Sequence, residues 1–129
     1  MAIINRCAVG IAPRPPLIAW SRRVSGEEAI SWQEDDHGLY LLPPYENDEE
    51  SWEALQKVYG IIFEKKLNSW CTDAHLWPSP RSFSLFQEWF EIRFYDLIDD
   101  LCDEDLNHQT MDPQFMAEVR AALRPRPLD

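Results

Sequence analysis

Apolar residues recur at three- and four-residue steps along the longest patterned stretch of the chain, residues 47–70. This period predicts an amphipathic helix whose apolar face is buried against other elements. Asn47 is a typical N-cap residue, and Glu50, three positions on, completes a capping-box pattern. Gly60 predicts the close approach of a neighbouring backbone, since glycine costs about 1 kcal/mol in a helix interior. The apolar face consists of Trp52, Leu55, Val58, Tyr59, Ile62, Phe63, Leu67 and Trp70.

Shorter patterns precede this helix. Alternating apolar positions in residues 3–11 predict a first strand, which the prolines that follow bring to an end. Two of these prolines suit the first turn of a short helix over residues 15–24. The polar residues 34–38 predict an exposed turn, and the nearly continuous apolar run 39–42 predicts a buried strand.

Two helices are also predicted after the long one. Ser82 is a suitable N-cap for a helix that begins at residue 83, and Asp112 caps a last helix with Pro113 at its first position. Residues 90–95 fit two patterns, because their alternation favours a strand while their four-residue spacing favours a continued helix. Residues 124–129 are predicted to form a loose tail.

A resemblance to a known family rests on the block LWPSPRSFSLFQEWFEIRFYDLIDDL and on LYLLP before the long helix. Together they resemble a family of short, uncharacterised bacterial proteins that share an LWPxxRxFxxFxxWF block. The resemblance covers most of the chain after residue 39 and carries no established activity. It implies a strand over residues 91–98, and therefore the order β-α-β-α-α-β followed by a C-terminal helix.

Length and composition predict one α+β domain that spans residues 1–129. It combines a small sheet of about three strands with helices packed mainly on one face. The three cysteines are widely spaced and give no disulfide framework, which predicts a cytoplasmic protein with mostly buried thiols. No apolar run approaches the length of a membrane span, so no membrane partner is expected.

The net charge of −11 is concentrated in two runs without lysine or arginine. Residues 24–56 contain ten acidic residues, and residues 94–119 contain eight. Such a surface repels phosphate backbones, so direct nucleic-acid binding is not expected. The charge instead predicts a basic protein partner.

Motifs for catalysis or metal binding are missing from the sequence. It has no GxSxG, no glycine-rich phosphate loop and no HExxH, and it identifies no catalytic residue. Cys71, Asp73 and His75 do not have the spacing of a standard zinc site. The acids of residues 96–105 lack the glycine and terminal glutamate of an EF-hand loop. We therefore expect neither a metal site nor a cofactor.

Taken together, these features predict a non-catalytic protein-interaction module such as an adaptor, an inhibitor or an immunity-like factor. The alternatives are a small metal-dependent enzyme that uses the carboxylates of residues 96–105 and an inhibitor that mimics nucleic acid. The turn at residues 70–81, held by an Asp73–Arg81 pair, is either a plug of the core or a binding site. The predicted partner-binding residues are Trp77, Arg81, Asp99, Asp100, Asp103 and Glu104.

Overall fold

A computed structural model describes residues 2–25 and 37–124. Within them the strands are β1 (Ala2–Ile3), β2 (Cys7–Pro13), β3 (Gly38–Leu42), β4 (Phe90–Tyr95) and β5 (Asp99–Asp100). The helices are α1 (Pro15–Ser25), α2 (Asp48–Trp70), α3 (Phe83–Trp89) and α4 (Pro113–Leu123). The predicted turn at residues 34–38 and the predicted tail lie mostly outside the described residues.

The main sheet has three antiparallel strands in the order β3-β2-β4. Val9 of the central strand lies opposite Tyr40 on one side and Phe94 on the other, so these three side chains point to the same face of the sheet. Every second residue along each strand points to that face as well. That face packs against the helices and contributes to the hydrophobic core. The predicted α+β fold, with helices on one face of a three-stranded sheet, is confirmed. The core-facing sheet residues are Val9, Ile11, Tyr40, Leu42, Phe90, Ile92 and Phe94.

The opposite face of the sheet corrects the prediction of a buried strand at residues 39–42. The strand exists, but Leu39 is 65% exposed and Leu41 is 45% exposed, while Leu42 is buried. The reason is that β3 is an edge strand of an antiparallel sheet with one packed face, whereas a continuous apolar run is typical of strands covered on both faces.

The predicted first strand is divided in the structure. β1 pairs with β5 in a separate two-stranded ladder, and β2 begins at Cys7 and continues to Pro13. Pro13 lies at the last position of the strand, where the missing N–H is tolerated. The prediction that the prolines end the strand is correct, but the strand begins and ends later than residues 3–11.

The capping of α2 follows the sequence pattern with one difference. The Asn47 side chain accepts a hydrogen bond from the Glu50 backbone N–H at 2.9 Å, as predicted. The Glu50 carboxylate accepts from the backbone N–H of Glu46, also at 2.9 Å, instead of that of Asn47. Both bonds pair backbone donors near the start of the helix, which fixes where α2 begins.

The core is centred on the buried face of α2. Phe63 is fully buried, and its ring lies 5.5 Å from Phe86, 5.9 Å from Trp89 and 5.5 Å from Phe90, measured between centroids. These contacts join α2 to α3 and to the start of β4 in one aromatic cluster. The predicted apolar stripe is confirmed, with Trp52, Tyr59 and Trp70 at its less buried margins.

The prediction for Gly60 is wrong, because a Cβ placed on this residue would meet no atom of another element within 4 Å. Gly60→Ala is therefore expected to raise the free energy of unfolding by about 1 kcal/mol, through helix propensity alone. Chemical denaturation measures the change. Gly38→Ala is the contrasting variant, since its Cβ would lie 3.0 Å from the Tyr40 ring, and no gain is expected there. A loss of stability in Gly60→Ala would mean that another group approaches the helix at this point.

Candidate functional site

Residues 96–111, which we call the acidic segment, are anchored at both ends. Near the start, the backbone N–H of Ile4 donates to the carbonyl of Ile98 at 3.0 Å, and β1 pairs with β5. Just after the end, the Asp112 carboxylate accepts from the Lys65 ammonium of α2 at 2.8 Å and from the backbone N–H of Phe115 at 3.1 Å. The chain is therefore held to the rest of the structure at Ile98, near the start of the segment, and at Asp112, just after its end.

Between these anchors the acidic segment lies open to solvent. Residues 101–111 form neither helix nor strand, and every one of them is exposed. The segment carries four large apolar side chains that would ordinarily be buried. The exposed fractions are 65% for Leu97, 77% for Leu101, 63% for Leu106 and 87% for Met111.

Acidic side chains alternate with these apolar ones. Asp99, Asp103 and Glu104 are exposed and Asp100 is half-buried, so the structure places all four predicted acids on one short stretch of chain. The Asp100 carboxylate accepts from the backbone N–H of Cys102 at 2.9 Å. No lysine or arginine in the described part of the chain forms an ion pair with the acids of the segment. Their charge is therefore uncompensated locally.

The predicted site at the Trp77 turn makes several contacts within the chain. The Trp77 indole donates to the carbonyl of Cys71 at 2.7 Å and packs against the core. The Arg81 guanidinium lies 5.5 Å from the centroid of the Trp77 ring and 3.3 Å from a carboxylate oxygen of Glu64. These contacts favour the interpretation of the turn as a core plug, while a partner contact through Trp77 and Arg81 stays a prediction.

The predicted Asp73–Arg81 pair is wrong. Asp73 caps the short 3-10 helix Ala74–Leu76, where its carboxylate accepts from the backbone N–H of His75 at 3.0 Å. The sequence places an acid and a base on the same turn, but α2 offers Glu64 to Arg81 from an element that is distant along the chain. Local capping and a long-range partner together explain the difference.

Trp77 and the end of the acidic segment lie closer together than their separation in sequence indicates. A depression of about 220 Å³ is lined by residues of α2, by Trp77, by the N-cap residue Asp112 and by residues of α4 that include Phe115. The four predicted acids belong to the other end of the segment. The predicted binding residues are thus divided between the two anchored ends.

Carboxylates, thiols and imidazoles do not converge in the part of the chain that the structure describes. No three His, Cys, Asp or Glu side chains there are grouped so that they could hold a metal ion. Of the cysteines, Cys7 is buried, Cys71 is half-buried and Cys102 is exposed, so the prediction of mostly buried thiols is wrong. Cys102 is exposed because it lies in the acidic segment, outside the core.

Tyr45 lies near the start of the acidic segment, with its ring edge-on to Phe94 at 6.2 Å between centroids. Burial raises the pKa of Tyr45 to about 12, and the neighbouring Cys7 and Asp96 act in the same direction. The phenol is therefore neutral at physiological pH, and it does not supply a base for proton transfer.

The sequence did not predict a basic region that the fold assembles. Arg6, Lys65 and the nearby pair Arg120 and Arg124 come from three separate parts of the chain and line one cleft of about 900 Å³. Arg6 lies near the N-terminus, whereas Arg120 and Arg124 follow the second acidic run. A count of charge along the chain does not show that these arginines are close in space. The one sequence signal for this basic region was Arg120, the first basic residue after the run 94–119.

The anchor at Asp112 is expected to respond to pH. The hydrogen bond from Lys65 lowers the pKa of the Asp112 carboxyl, and the backbone N–H of Phe115 acts in the same direction. A lowered pKa in the folded state stabilises the start of α4 above the unfolded-state pKa of about 3.9, and this contribution is lost as the pH falls through the lower folded value. The protection factors of the α4 amides, which are corrected for the pH dependence of intrinsic exchange, should therefore fall on acidification below the unfolded-state pKa in the native protein and change much less in Asp112→Asn. An equal response in both proteins would contradict this account.

Comparison of the chain with protein-family models, with curated proteins and with solved structures gives no match. The resemblance of the LWPxxRxFxxFxxWF block to short bacterial proteins therefore stays a prediction. None of the helices within the described residues combines the length and the apolar character needed to cross a bilayer.

Proposed function

We propose that this protein is a non-catalytic interaction module, an adaptor, inhibitor or immunity-like factor, that binds a basic protein partner through the acidic segment. One observation carries the proposal: four large apolar side chains stand exposed among uncompensated acids on a stretch that is anchored at both ends. We place this activity in the cytoplasm, a proposal that is supported by the free, exposed thiol of Cys102.

The apolar side chains supply the affinity in this proposal. Burying one leucine or methionine contributes about 1.5–3 kcal/mol relative to leaving it in water. Leu97, Leu101, Leu106 and Met111 lie at four- or five-residue intervals in the sequence, so a partner that covers the segment can bury several of them together. Clustered exposed apolar groups with polar neighbours are typical of protein interfaces. Fixed ends reduce the entropy that the segment loses when it binds.

The acids determine the charge that the partner's binding surface must carry. Uncompensated carboxylates attract a positively charged surface over roughly the Debye length, about 8 Å at physiological ionic strength, and disfavour acidic competitors. Lysine or arginine side chains placed between apolar pockets would match the alternation of Asp99, Leu101, Asp103 and Leu106. The partner is therefore expected to present a basic surface with apolar depressions.

The two other functions that the sequence allowed have less support. A metal-dependent enzyme would use converging carboxylates, whereas the acids of residues 96–105 are mostly exposed and are not grouped as metal ligands among the described residues. A nucleic-acid mimic would present charge alone, as a phosphate backbone does, and the exposed leucines between the acids have no counterpart there. The mixed character of the segment favours a protein partner.

Affinity capture from native lysate tests the proposal when three proteins are compared by quantitative mass spectrometry. The first is the native chain, and the second carries Asp99→Asn, Asp100→Asn, Asp103→Asn and Glu104→Gln. The third is a control that loses four exposed carboxylates elsewhere, through Glu53→Gln, Glu88→Gln, Glu91→Gln and Glu118→Gln. We expect the native chain and the control to enrich the same basic protein and the segment variant to lose it. Equal enrichment by all three would overturn the proposal.

A further inference from the structure

We propose that the cleft between α4 and the β3 end of the sheet binds an amphiphilic anion, a single anionic head group on an unbranched alkyl chain. This inference differs from the proposed protein contact in the charge of the ligand and in its concave shape, although residues 108–111 of the acidic segment line one part of the cleft. Its volume of about 900 Å³ lies within the range of pockets that enclose small organic ligands.

Three arginines supply the positive charge of the cleft. Arg6 precedes β2, Arg120 lies on α4 and Arg124 follows α4, and all three line the cleft. None of them forms an ion pair within residues 2–25 and 37–124, although the chain as a whole carries a net charge of −11. Guanidinium groups bind carboxylates and phosphates through two parallel hydrogen bonds, so three unpaired arginines in one cleft favour an anion.

The remaining cation and acid of the cleft neutralise each other. Lys65 pairs with Asp112 at 2.8 Å, and its ammonium lies 4.2 Å from the centroid of the Phe115 ring. The carboxylate is therefore occupied and does not compete for the arginines. The net charge available to a ligand comes from the three guanidinium groups.

Apolar side chains, beside the polar Gln109 and Thr110, form much of the remaining lining and suit an alkyl chain. Leu41, Phe115 and Leu123 line the cleft together with Met111 and Met116, whose flexible thioethers adapt to a chain of variable shape. A second depression of about 360 Å³ shares Arg6, Leu41 and His108 with the cleft and continues past Ile3 and Leu106. The second depression therefore adjoins the cleft and adds apolar side chains to the space beside it. A nucleotide or a free inorganic anion would leave this space unfilled, whereas an alkyl chain fills it.

Calorimetric titration of the full chain tests the inference with three probes of equal chain length, the two anions kept below their critical micelle concentrations and dodecanol below its solubility limit. Dodecanoate has a carboxylate head group and dodecyl phosphate has a phosphate head group. Dodecanol has no anionic head group. We expect one molecule of at least one anion to bind, and dodecanol to bind about tenfold more weakly or not at all, because it cannot pair with the arginines. Equal binding of dodecanol and both anions would overturn the inference, as would no binding of either anion.

Matched variants locate the site. Arg120→Gln with Arg124→Gln should weaken anion binding about tenfold or more, and Arg6→Gln should weaken it independently from another element. Arg22→Gln with Arg23→Gln removes the same charge from exposed positions at the end of α1 and should leave binding unchanged. Thermal melts confirm folding in each case. If the control weakens binding as much as the cleft variants do, or if the cleft variants alter only self-association in sedimentation, the inference is wrong.

Discussion

Phe63→Ala is expected to lower the free energy of unfolding by about 3–5 kcal/mol. The side chain is fully buried and contacts three aromatic rings from α3 and the start of β4. Its removal leaves a cavity at the point where α2, α3 and the sheet meet, and rigid aromatic neighbours close such a cavity poorly. Chemical denaturation measures the change, with the slope of the transition as a check that unfolding stays two-state.

Gln56→Ala is the control on the same helix. Gln56 is exposed on α2, so its truncation should change stability by less than about 0.5 kcal/mol. A loss below about 1 kcal/mol in Phe63→Ala would show that the aromatic cluster is not the centre of the core. In that case the apolar face of α2 would become a candidate binding surface.

Association with the basic partner should slow several-fold as the salt concentration rises from about 50 to about 300 mM, with a smaller change in dissociation. The reason is that uncompensated acids act at long range during the encounter, whereas the exposed leucines act only in the bound state. Surface plasmon resonance separates the two rates. The variant with Asp99, Asp100, Asp103 and Glu104 neutralised should show the slow association of high salt already at low salt.

Variants of the exposed leucines should change the dissociation rate instead of the association rate. Leu101→Ser with Leu106→Ser leaves the charge unchanged, so association should stay fast while dissociation accelerates. The four-carboxylate control at Glu53, Glu88, Glu91 and Glu118 should keep most of the native salt dependence. An association rate that changes neither with the salt concentration nor when the segment acids are neutralised would mean that the acidic surface serves solubility alone. Trp77 and Arg81 would then be the better candidates for the contact.

The helices could be predicted from sequence because their signals are local. Asn47, Ser82 and Asp112 each accept a hydrogen bond from a backbone N–H three positions on, and an N-cap needs no information from the rest of the chain. The strand β4, by contrast, has the pattern of either a strand or a helix. Its pairing with β2 decides the outcome, and pairing is a property of the fold.

What the sequence could not supply were contacts between distant elements. Arg81 pairs with Glu64 instead of Asp73 because α2 runs past the turn, and Leu39 is exposed because β3 lies at the edge of the sheet. The acidic segment was predicted from composition, but its two anchors and its exposed leucines were not. The arginine cleft was missed entirely, since three distant parts of the chain contribute its cations.

The central claim is that the acidic segment contacts the partner, and short-time hydrogen exchange on the captured complex tests it most directly. Amides of residues 101–111 form no helix or strand in the described structure and should exchange rapidly in the free protein. We expect the partner to slow their exchange and to leave the amides around Trp77 and Arg81 unchanged. Slowed exchange around Trp77 and Arg81, with residues 101–111 as fast as in the free protein, would contradict the account.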